Sequence, residues 1–105
     1  MAKVELSPQF RRDLLGILGH LSDVAGVRVA RKYEARFKQA VGLVRDFPGI
    51  GAPRPELGAG TRLLLVDPYL IFYDGAPACE HVRVLRILHG RREISEGIIA
   101  RGRAD

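Results

Sequence analysis

The sequence lacks a second cysteine for a cross-link and a long apolar run for a membrane span. Cys79 is its only cysteine, so no disulfide can form within the chain and no cysteine-based zinc site can be built from it. No apolar run approaches the roughly 20 residues that a membrane-spanning helix needs. The residues after Met1 lack the apolar stretch of a signal peptide, and a lone thiol is typical of a reducing compartment. These absences predict a cytoplasmic protein without membrane contact.

Acidic side chains are fewer than basic ones. The chain has 17 Lys and Arg residues against 12 Asp and Glu residues, for a net charge of +5. The late part of the chain has six arginines and no lysine, namely Arg83, Arg86, Arg91, Arg92, Arg101 and Arg103. The planar guanidinium pairs bidentately with carboxylates and phosphates, although a coding bias toward Arg would give the same preference. The charge balance predicts an acidic partner, either nucleic acid or an acidic protein segment.

The length of 105 residues predicts a single domain over residues 1–105. The first half of the chain predicts a strand followed by a helical hairpin. Residues 3–6 alternate and favour a strand. Ser7 and Pro8 are typical of a helix start, so the first helix is expected to begin at Pro8. A second helix is expected over residues 24–46, with Ser22 and Asp23 as its N-cap. The short connection predicts an antiparallel hairpin.

The second half predicts a sheet. Three prolines and two glycines within residues 48–55 end the helical region. Strand-like runs follow at residues 61–66, 69–73 and 81–88, each bounded by turn residues, while residues 93–101 favour only a weak terminal helix. The predicted fold is α+β with the order β-α-α-β-β-β, a helical hairpin packed on one face of a small, mostly antiparallel sheet. The other face, or the rim, is expected to be free for function.

Four segments follow one another along the chain in a specific order. They are Leu6-Ser7-Pro8 with Asp13-Leu14, the loop over residues 47–57, the strand Tyr69-Leu70-Ile71-Phe72-Tyr73, and the closing run over residues 83–93. Together they resemble the ParE/RelE toxin superfamily of type II toxin–antitoxin systems, and the closing strand is most similar to the ParE branch. The resemblance implies a growth-inhibiting, plasmid-stabilising toxin that a cognate ParD-like antitoxin neutralises with an acidic C-terminal segment. It also implies a hetero-oligomer that contacts DNA mainly through the antitoxin.

The two branches of this superfamily act differently. ParE members are associated with poisoning DNA gyrase, whereas RelE members cut messenger RNA in the ribosome. Metal-free RNA cleavage needs a proton-transfer group and several cations around one phosphate. Here the middle strands are largely apolar and no tyrosine follows Tyr73, which favours a gyrase inhibitor over an enzyme. A metal-independent endoribonuclease and a non-toxic binding or regulatory module stay open as alternatives. No cofactor or metal is expected, and a ribonuclease site would use Arg62, His89, Arg91 and Arg92.

Two sets of side chains are the candidate contact residues. The set expected to bind the target is Arg83, Arg86, His89, Arg91, Arg92 and Glu93. The set expected to bind the antitoxin is Phe10, Leu14, Arg62, Tyr69 and Tyr73. Structural roles compete with these functions. His89 would alternatively cap the local backbone, and one of Arg83 and Arg86 would pair with a carboxylate such as Glu5 or Asp67. Tyr69 and Tyr73 would alternatively pack in the core, which the sequence favours over a platform for stacking bases. Cys79 is expected to be an inert thiol.

Overall fold

The computed structural model describes residues 2–75 and 80–104, so Cys79 lies outside the described residues. The elements, in chain order, are β1 (Lys3–Leu6), α1 (Pro8–Ala25), α2 (Val27–Asp46), β2 (Ala52–Pro53), a 3-10 turn (Pro55–Leu57), β3 (Thr61–Val66), β4 (Tyr69–Asp74), β5 (His81–His89) and α3 (Glu96–Arg103). One sheet has the strand order β1-β5-β4-β3-β2. The β1–β5 pair is parallel and the other pairs are antiparallel. This confirms the predicted α+β arrangement.

The start of α1 is fixed by Ser7, as the sequence predicts. The Ser7 hydroxyl oxygen accepts a hydrogen bond of 2.9 Å from the backbone N–H of Phe10, which is the N-cap interaction. The same hydroxyl donates to the carbonyl oxygen of Leu85 on β5 at 2.8 Å. Ser7 is fully buried, so one side chain both begins the helix and ties it to the sheet.

The junction between the two helices differs from the prediction. Ser22 and Asp23 lie within α1, which continues to Ala25, and α2 begins at Val27. Gly26 forms the turn with φ of 93°, a backbone conformation that glycine adopts without steric cost. The expected N-cap was therefore wrong because the glycine, and not the polar pair before it, provides the break.

Both faces of the sheet are covered, each by a different helix layer. The α1–α2 side buries the larger part of the core, which includes Phe10, Phe37, Val44, Ile71, Tyr73 and Val84. The opposite side carries a second cluster under α3, made of Leu57, Phe72, Leu85, Leu88 and Ile99. The expectation of a free second face therefore holds only in part, since α3 packs on it. Within the described residues, no helix is both long and apolar enough to cross a bilayer.

Strand β1 pairs with only the first part of β5, from His81 to Val84. Beyond that point α1 lies along the edge of β5 instead. The Asp13 carboxylate accepts a hydrogen bond of 3.3 Å from the backbone N–H of Ile87, so a side chain from α1 substitutes for a strand partner. This arrangement brings the middle of α1 beside the end of β5.

Candidate functional site

The basic turn, residues 89–93, follows β5 and is held by its own backbone and by a neighbouring turn. The N–H of Gly90 donates to the carbonyl oxygen of Pro68 at 2.8 Å, and the N–H of Arg92 donates to that of His89 at 3.0 Å. The His89 Nδ1 accepts from the N–H of Arg91 at 3.0 Å. His89 therefore does cap the local backbone, while Arg91, Arg92 and Glu93 remain exposed to solvent.

An aromatic row connects the basic turn to the core. The His89 ring stands edge-on to Tyr69 with centroids 5.5 Å apart, and Tyr69 contacts Tyr33 and Phe37 in the same geometry at 5.6 and 5.4 Å. Burial, and to a smaller extent Tyr33, raises the pKa of the Tyr69 hydroxyl. Edge-to-face contacts of this kind stabilise packing, so the turn is presented on a well-packed support.

A cleft of about 510 Å³ separates α1 from the end of β5. Buried apolar side chains line it, and exposed basic side chains stand around it. Its lining comprises Arg12, Asp13, Gly16, Ile17 and His20 from α1, together with Tyr69, Ile87, Leu88, His89 and Arg92. Such a combination, an apolar floor with charged groups at its edge, is common in binding sites. We call this feature the α1–β5 cleft.

Arg86 is buried and pairs with Asp13 of the cleft lining. Its Nε and Nη2 donate to the two Asp13 carboxylate oxygens at 2.9 and 2.6 Å, and its Nη1 donates to the carbonyl oxygen of Ile98 at 3.2 Å. Arg86 is only 3% exposed. The structure therefore corrects the expectation that Arg86 contacts a target: its guanidinium is consumed by a buried ion pair, with Asp13 and not with Glu5 or Asp67.

Arg83 pairs with Glu5, which is one of the two carboxylates that the sequence analysis offered. Its guanidinium forms an ion pair with Glu5 on the adjacent strand β1. Arg83 and His89 are six positions apart along β5, which corresponds to about 20 Å of extended chain. The structure consequently does not bring Arg83 together with the basic turn.

The side chains expected to bind an antitoxin are mostly in the core. Phe10, Tyr69 and Tyr73 are 1%, 6% and 0% exposed, and Leu14 is half-buried against the same cluster. Phe10 and Tyr73 cannot contact a partner without unfolding, which corrects that part of the expectation, whereas Tyr69 reaches the surface only in the lining of the α1–β5 cleft. Tyr69 and Tyr73 lie inside because the inward-facing positions of β4 meet the helical hairpin, and Phe10 lies inside because it is on the side of α1 that packs in the same cluster.

Tyr73 and Arg62 instead hold the loop before β2. The Tyr73 hydroxyl donates to the carbonyl oxygen of Pro48 and accepts from the N–H of Gly51, both at 2.8 Å. Burial raises the pKa of this hydroxyl. Arg62 donates to the carbonyl oxygens of Gly49 and Gly51 at 3.1 and 2.7 Å. The proline-rich loop thus has defined partners on β3 and β4.

The proposed ribonuclease set is not assembled in one place. Arg62 pairs with Tyr73 across β3 and β4, whereas His89 pairs with Tyr69 across β4 and β5. Tyr69 and Tyr73 are four residues apart, which corresponds to about 13 Å along the strand. No group of three potential metal ligands occurs among residues 2–75 and 80–104. In this geometry Arg62 and the basic turn do not surround one phosphate.

A polar cluster that no local sequence pattern predicts anchors α3. Arg103 Nε and Nη2 donate to the Asp74 carboxylate at 2.6 and 3.0 Å, and Thr61 Oγ1 donates to the same carboxylate at 2.6 Å. Burial raises the pKa of Asp74, but the hydrogen bonds from Arg103 and Thr61 and the Arg103 charge outweigh it, so the pKa lies below its usual value. Arg103 is 29 residues from Asp74 and 42 residues from Thr61 in the sequence, so local patterns cannot predict these contacts.

A family model described as the ParE toxin of the type II toxin–antitoxin system parDE matches residues 4–94. The chain belongs to the ParE toxin family. Toxin ParE1 of Caulobacter vibrioides is 28% identical over 85 residues, which cover 81% of this chain and 88% of that relative. The solved structure of a chromosomal ParDE TA system from P. aeruginosa matches with a TM-score of 0.71 at 22% identity, covering 85% of this chain and 96% of that one. The predicted ParE branch and fold are confirmed, and the family match ends just before α3.

Proposed function

We propose that this ParE-family chain is held inactive by direct binding of a ParD-like antitoxin and inhibits DNA gyrase when it is free. Its membership of a type II toxin family supports the general role, and the structural neighbour is a ParDE system. The net charge of +5 suits an acidic antitoxin segment. The complex is a hetero-oligomer in this proposal, and its DNA contacts come mainly from the antitoxin.

The observation that carries the choice of mechanism is the commitment of Arg62 to the loop carbonyls of Gly49 and Gly51. A metal-free nuclease stabilises the developing phosphate charge with several converging cations. Here Arg62 is the only basic residue of β3, and its guanidinium binds the loop carbonyls. It pairs with one end of β4, whereas His89 pairs with the other end. A toxin that acts by contact, without cleaving RNA, therefore agrees best with the arrangement.

The exposed side chains Arg91, Arg92 and Glu93, supported by His89, form the proposed contact with gyrase. Guanidinium groups at the centre of protein interfaces often contribute much of the binding energy. The antitoxin contact is revised toward exposed apolar side chains near the end of α2 and the edge of β3, namely Leu43, Phe47, Ile50 and Leu65. Leu43 and Leu65 line the same surface depression, and adjacent exposed apolar groups are typical of an interface.

A supercoiling assay with purified gyrase tests this proposal. The free chain is expected to reduce supercoiling and to accumulate cleaved DNA, and the purified antitoxin is expected to restore activity. The Arg91→Ala/Arg92→Ala variant is expected to inhibit at least about tenfold less, in line with the loss of two interface arginines. Gyrase that stays fully active at a large excess of the chain would contradict the proposed target.

A further inference from the structure

Helix α2 has most of the net charge of the chain. It contains six basic and two acidic residues, so its net charge is +4, whereas that of the whole chain is +5. Helix α1 contains two arginines and two aspartates, which cancel. The positive charge is therefore concentrated on one of the two helices that cover the sheet.

Four exposed basic residues of α2 form a surface that we call the α2 basic face. They are Arg28, Arg31, Lys32 and Lys38. The buried positions of the helix, from Ala30 to Val44, recur every three or four residues on another side. Within the described part of the chain, none of the four basic side chains forms an ion pair. Their charges are therefore available to an external anion.

The other charged residues of α2 have different surroundings. Arg36 lies over the ring of Tyr33, with its Cζ 5.1 Å from the ring centroid, and Arg45 pairs with Asp46 at 3.2 Å. Glu34 lies three residues after Arg31 and four before Lys38, and residues at these spacings are neighbours on a helix surface. The α2 basic face thus has one carboxylate beside it, which weakens its attraction for an anion.

The spacing within the α2 basic face suits a row of phosphates. Arg31 and Lys38 are seven residues apart, which is close to two helical turns, so they lie on one side of α2 about 10 Å apart. Arg28 and Lys32 lie within one turn of Arg31. A DNA duplex has a phosphate about every 3.4 Å along each strand. A duplex that lies along α2 therefore places several phosphates near these cations.

No large apolar side chain interrupts the α2 basic face. The exposed large hydrophobic residues of α2 are Val27 and Leu43, and both lie outside the range 28–42. A protein segment needs apolar or aromatic anchors for much of its affinity, and single-stranded nucleic acid needs open aromatic faces on which its bases stack. Duplex DNA needs neither, because its phosphates alone supply non-specific binding. The face therefore suits duplex DNA best.

An anionic bilayer is a second extended polyanion, but it fits α2 less well. A helix that lies on a bilayer buries its apolar side among the lipids. The apolar side of α2 is already in the protein core, where Phe37 and Val44 are 2% and 0% exposed. Only the charges of α2 are left for a ligand.

We propose that the α2 basic face binds the phosphate backbone of duplex DNA without regard to base sequence. Each of its four cations neutralises one phosphate. The proposed function assigns the DNA contacts of the complex mainly to the antitoxin, whereas this contact belongs to the toxin itself and requires neither antitoxin nor gyrase. It holds the free chain on the polymer on which its proposed target acts.

Fluorescence anisotropy with a labelled duplex tests the proposal on the purified full chain. A duplex of about 20 base pairs is about 68 Å long and exceeds the length of α2, about 30 Å. Binding is expected at about 50 mM salt, and the logarithm of the association constant is expected to fall with the logarithm of the salt concentration at a slope of about −3.6, as four neutralised phosphates require. A second duplex of unrelated sequence is expected to bind equally well.

Charge-matched variants locate the binding. Arg31→Ala/Lys38→Ala removes two cations of the α2 basic face, whereas Arg11→Ala/Arg101→Ala removes the same charge from exposed positions on α1 and α3. The first pair is expected to weaken duplex binding at least about tenfold at 50 mM salt and to reduce the salt slope by about 1.8. The second pair is expected to change the Kd less than about threefold, because salt screens charges that do not touch the DNA.

A single variant is expected to act in the opposite direction. Glu34→Gln removes the carboxylate beside the α2 basic face and is expected to strengthen duplex binding about two- to threefold, since like charges no longer repel the phosphates. A residue with a merely structural role would not strengthen binding when it is replaced. Circular dichroism checks that every variant keeps the helical content of the wild-type chain.

Several results would overturn this DNA site. They are the absence of duplex binding at about 50 mM salt, equal losses in the two charge-matched pairs, or wild-type affinity in Arg31→Ala/Lys38→Ala. Tighter binding to single-stranded RNA of the same length would assign the α2 basic face to that ligand, as would binding to phosphatidylcholine–phosphatidylserine vesicles in preference to DNA. The gyrase assay is a separate readout: a chain that never inhibits gyrase contradicts the proposed target, while duplex binding that only the α2 pair abolishes still supports the DNA site.

Discussion

Asp13 on α1 and Arg86 on β5 form a bidentate ion pair across 73 residues of sequence, with N–O distances of 2.9 and 2.6 Å. Their side chains are only 9% and 4% exposed. The second carboxylate oxygen also accepts from the backbone of Ile87. This pair fixes the position of α1 along the part of β5 that β1 does not reach, and so it sets the width of the α1–β5 cleft.

Removing one partner of this pair is expected to destabilise the chain severely. Asp13→Ala or Arg86→Ala would leave a buried charge uncompensated, at a cost of about 3–5 kcal/mol in the free energy of unfolding. The double variant Asp13→Leu/Arg86→Met removes both charges and is expected to recover most of that loss. Urea denaturation measures all three variants. Single variants within about 1 kcal/mol of wild type would show that the pair does not hold α1 in place.

The two serine N-caps are expected to differ in their contributions. Ser7 caps α1 and also donates to Leu85 from a fully buried position, whereas Ser95 caps α3 from an exposed one. Ser7→Ala is expected to cost about 2–3 kcal/mol, since a cap and a buried hydrogen bond are lost together. Ser95→Ala should cost about 0.5–1 kcal/mol. Equal losses in thermal or chemical unfolding would contradict the dual role of Ser7.

Two glycines in α3 are expected to respond to alanine in opposite directions. A Cβ at Gly102 would lie 2.4 Å from the carbonyl oxygen of Leu85, but at Gly97 its nearest neighbour is 3.9 Å away. Gly102→Ala must therefore push α3 off β5, while Gly97→Ala should stabilise the chain by about 0.5–1 kcal/mol through helix propensity. Denaturation combined with amide exchange of the α3 backbone measures both effects. An undisturbed α3 in Gly102→Ala would contradict the close packing.

Acid is expected to weaken the attachment of α3 through Asp74. Its pKa is lower in the folded chain than in the unfolded chain, so its contribution is fully present above the unfolded pKa of about 3.9. That contribution is lost as the pH falls through the lower folded pKa. Asp74→Asn is expected to lower stability at neutral pH and to reduce the further loss below about pH 4. Parallel stability–pH curves for wild type and variant would contradict this role.

The parts of the fold that followed from the sequence are those set by local rules. Ser7 and Pro8 located the start of α1, and the short apolar runs bounded by turn residues located four of the five strands to within one residue, whereas β2 lies in a segment that was predicted to be a loop. The error at the helical junction was also local. The sequence prediction places Gly26 inside the second helix, although a glycine between two apolar stripes itself indicates a helix end. Segment order along the chain identified the family, because four short segments at fixed spacing carry more information than any one of them.

The candidate site was harder to foresee because burial depends on distant partners. Arg86 belongs to the predicted target-binding set, with pairing to Glu5 or Asp67 as the alternative, but the carboxylate that buries it comes from α1, 73 residues away. Tyr73 and Phe10 are proposed as contacts from the sequence, although both are buried between the sheet and the helical hairpin, and that packing is defined only once β4 lies in the middle of the sheet. The α1–β5 cleft depends on where β1 stops pairing, and no pattern within β5 reveals that register.

The most direct test of the account is regulated expression of this chain alone in a bacterium, with the DNA-damage response and messenger RNA integrity followed in parallel. We expect growth arrest, filamentation and an induced damage response while messenger RNA stays intact, with rescue by the cognate antitoxin. Growth arrest with codon-phased cuts in messenger RNA would contradict the gyrase mechanism and indicate the ribonuclease alternative. Normal growth despite accumulation of the folded chain would contradict toxicity itself and leave a binding module.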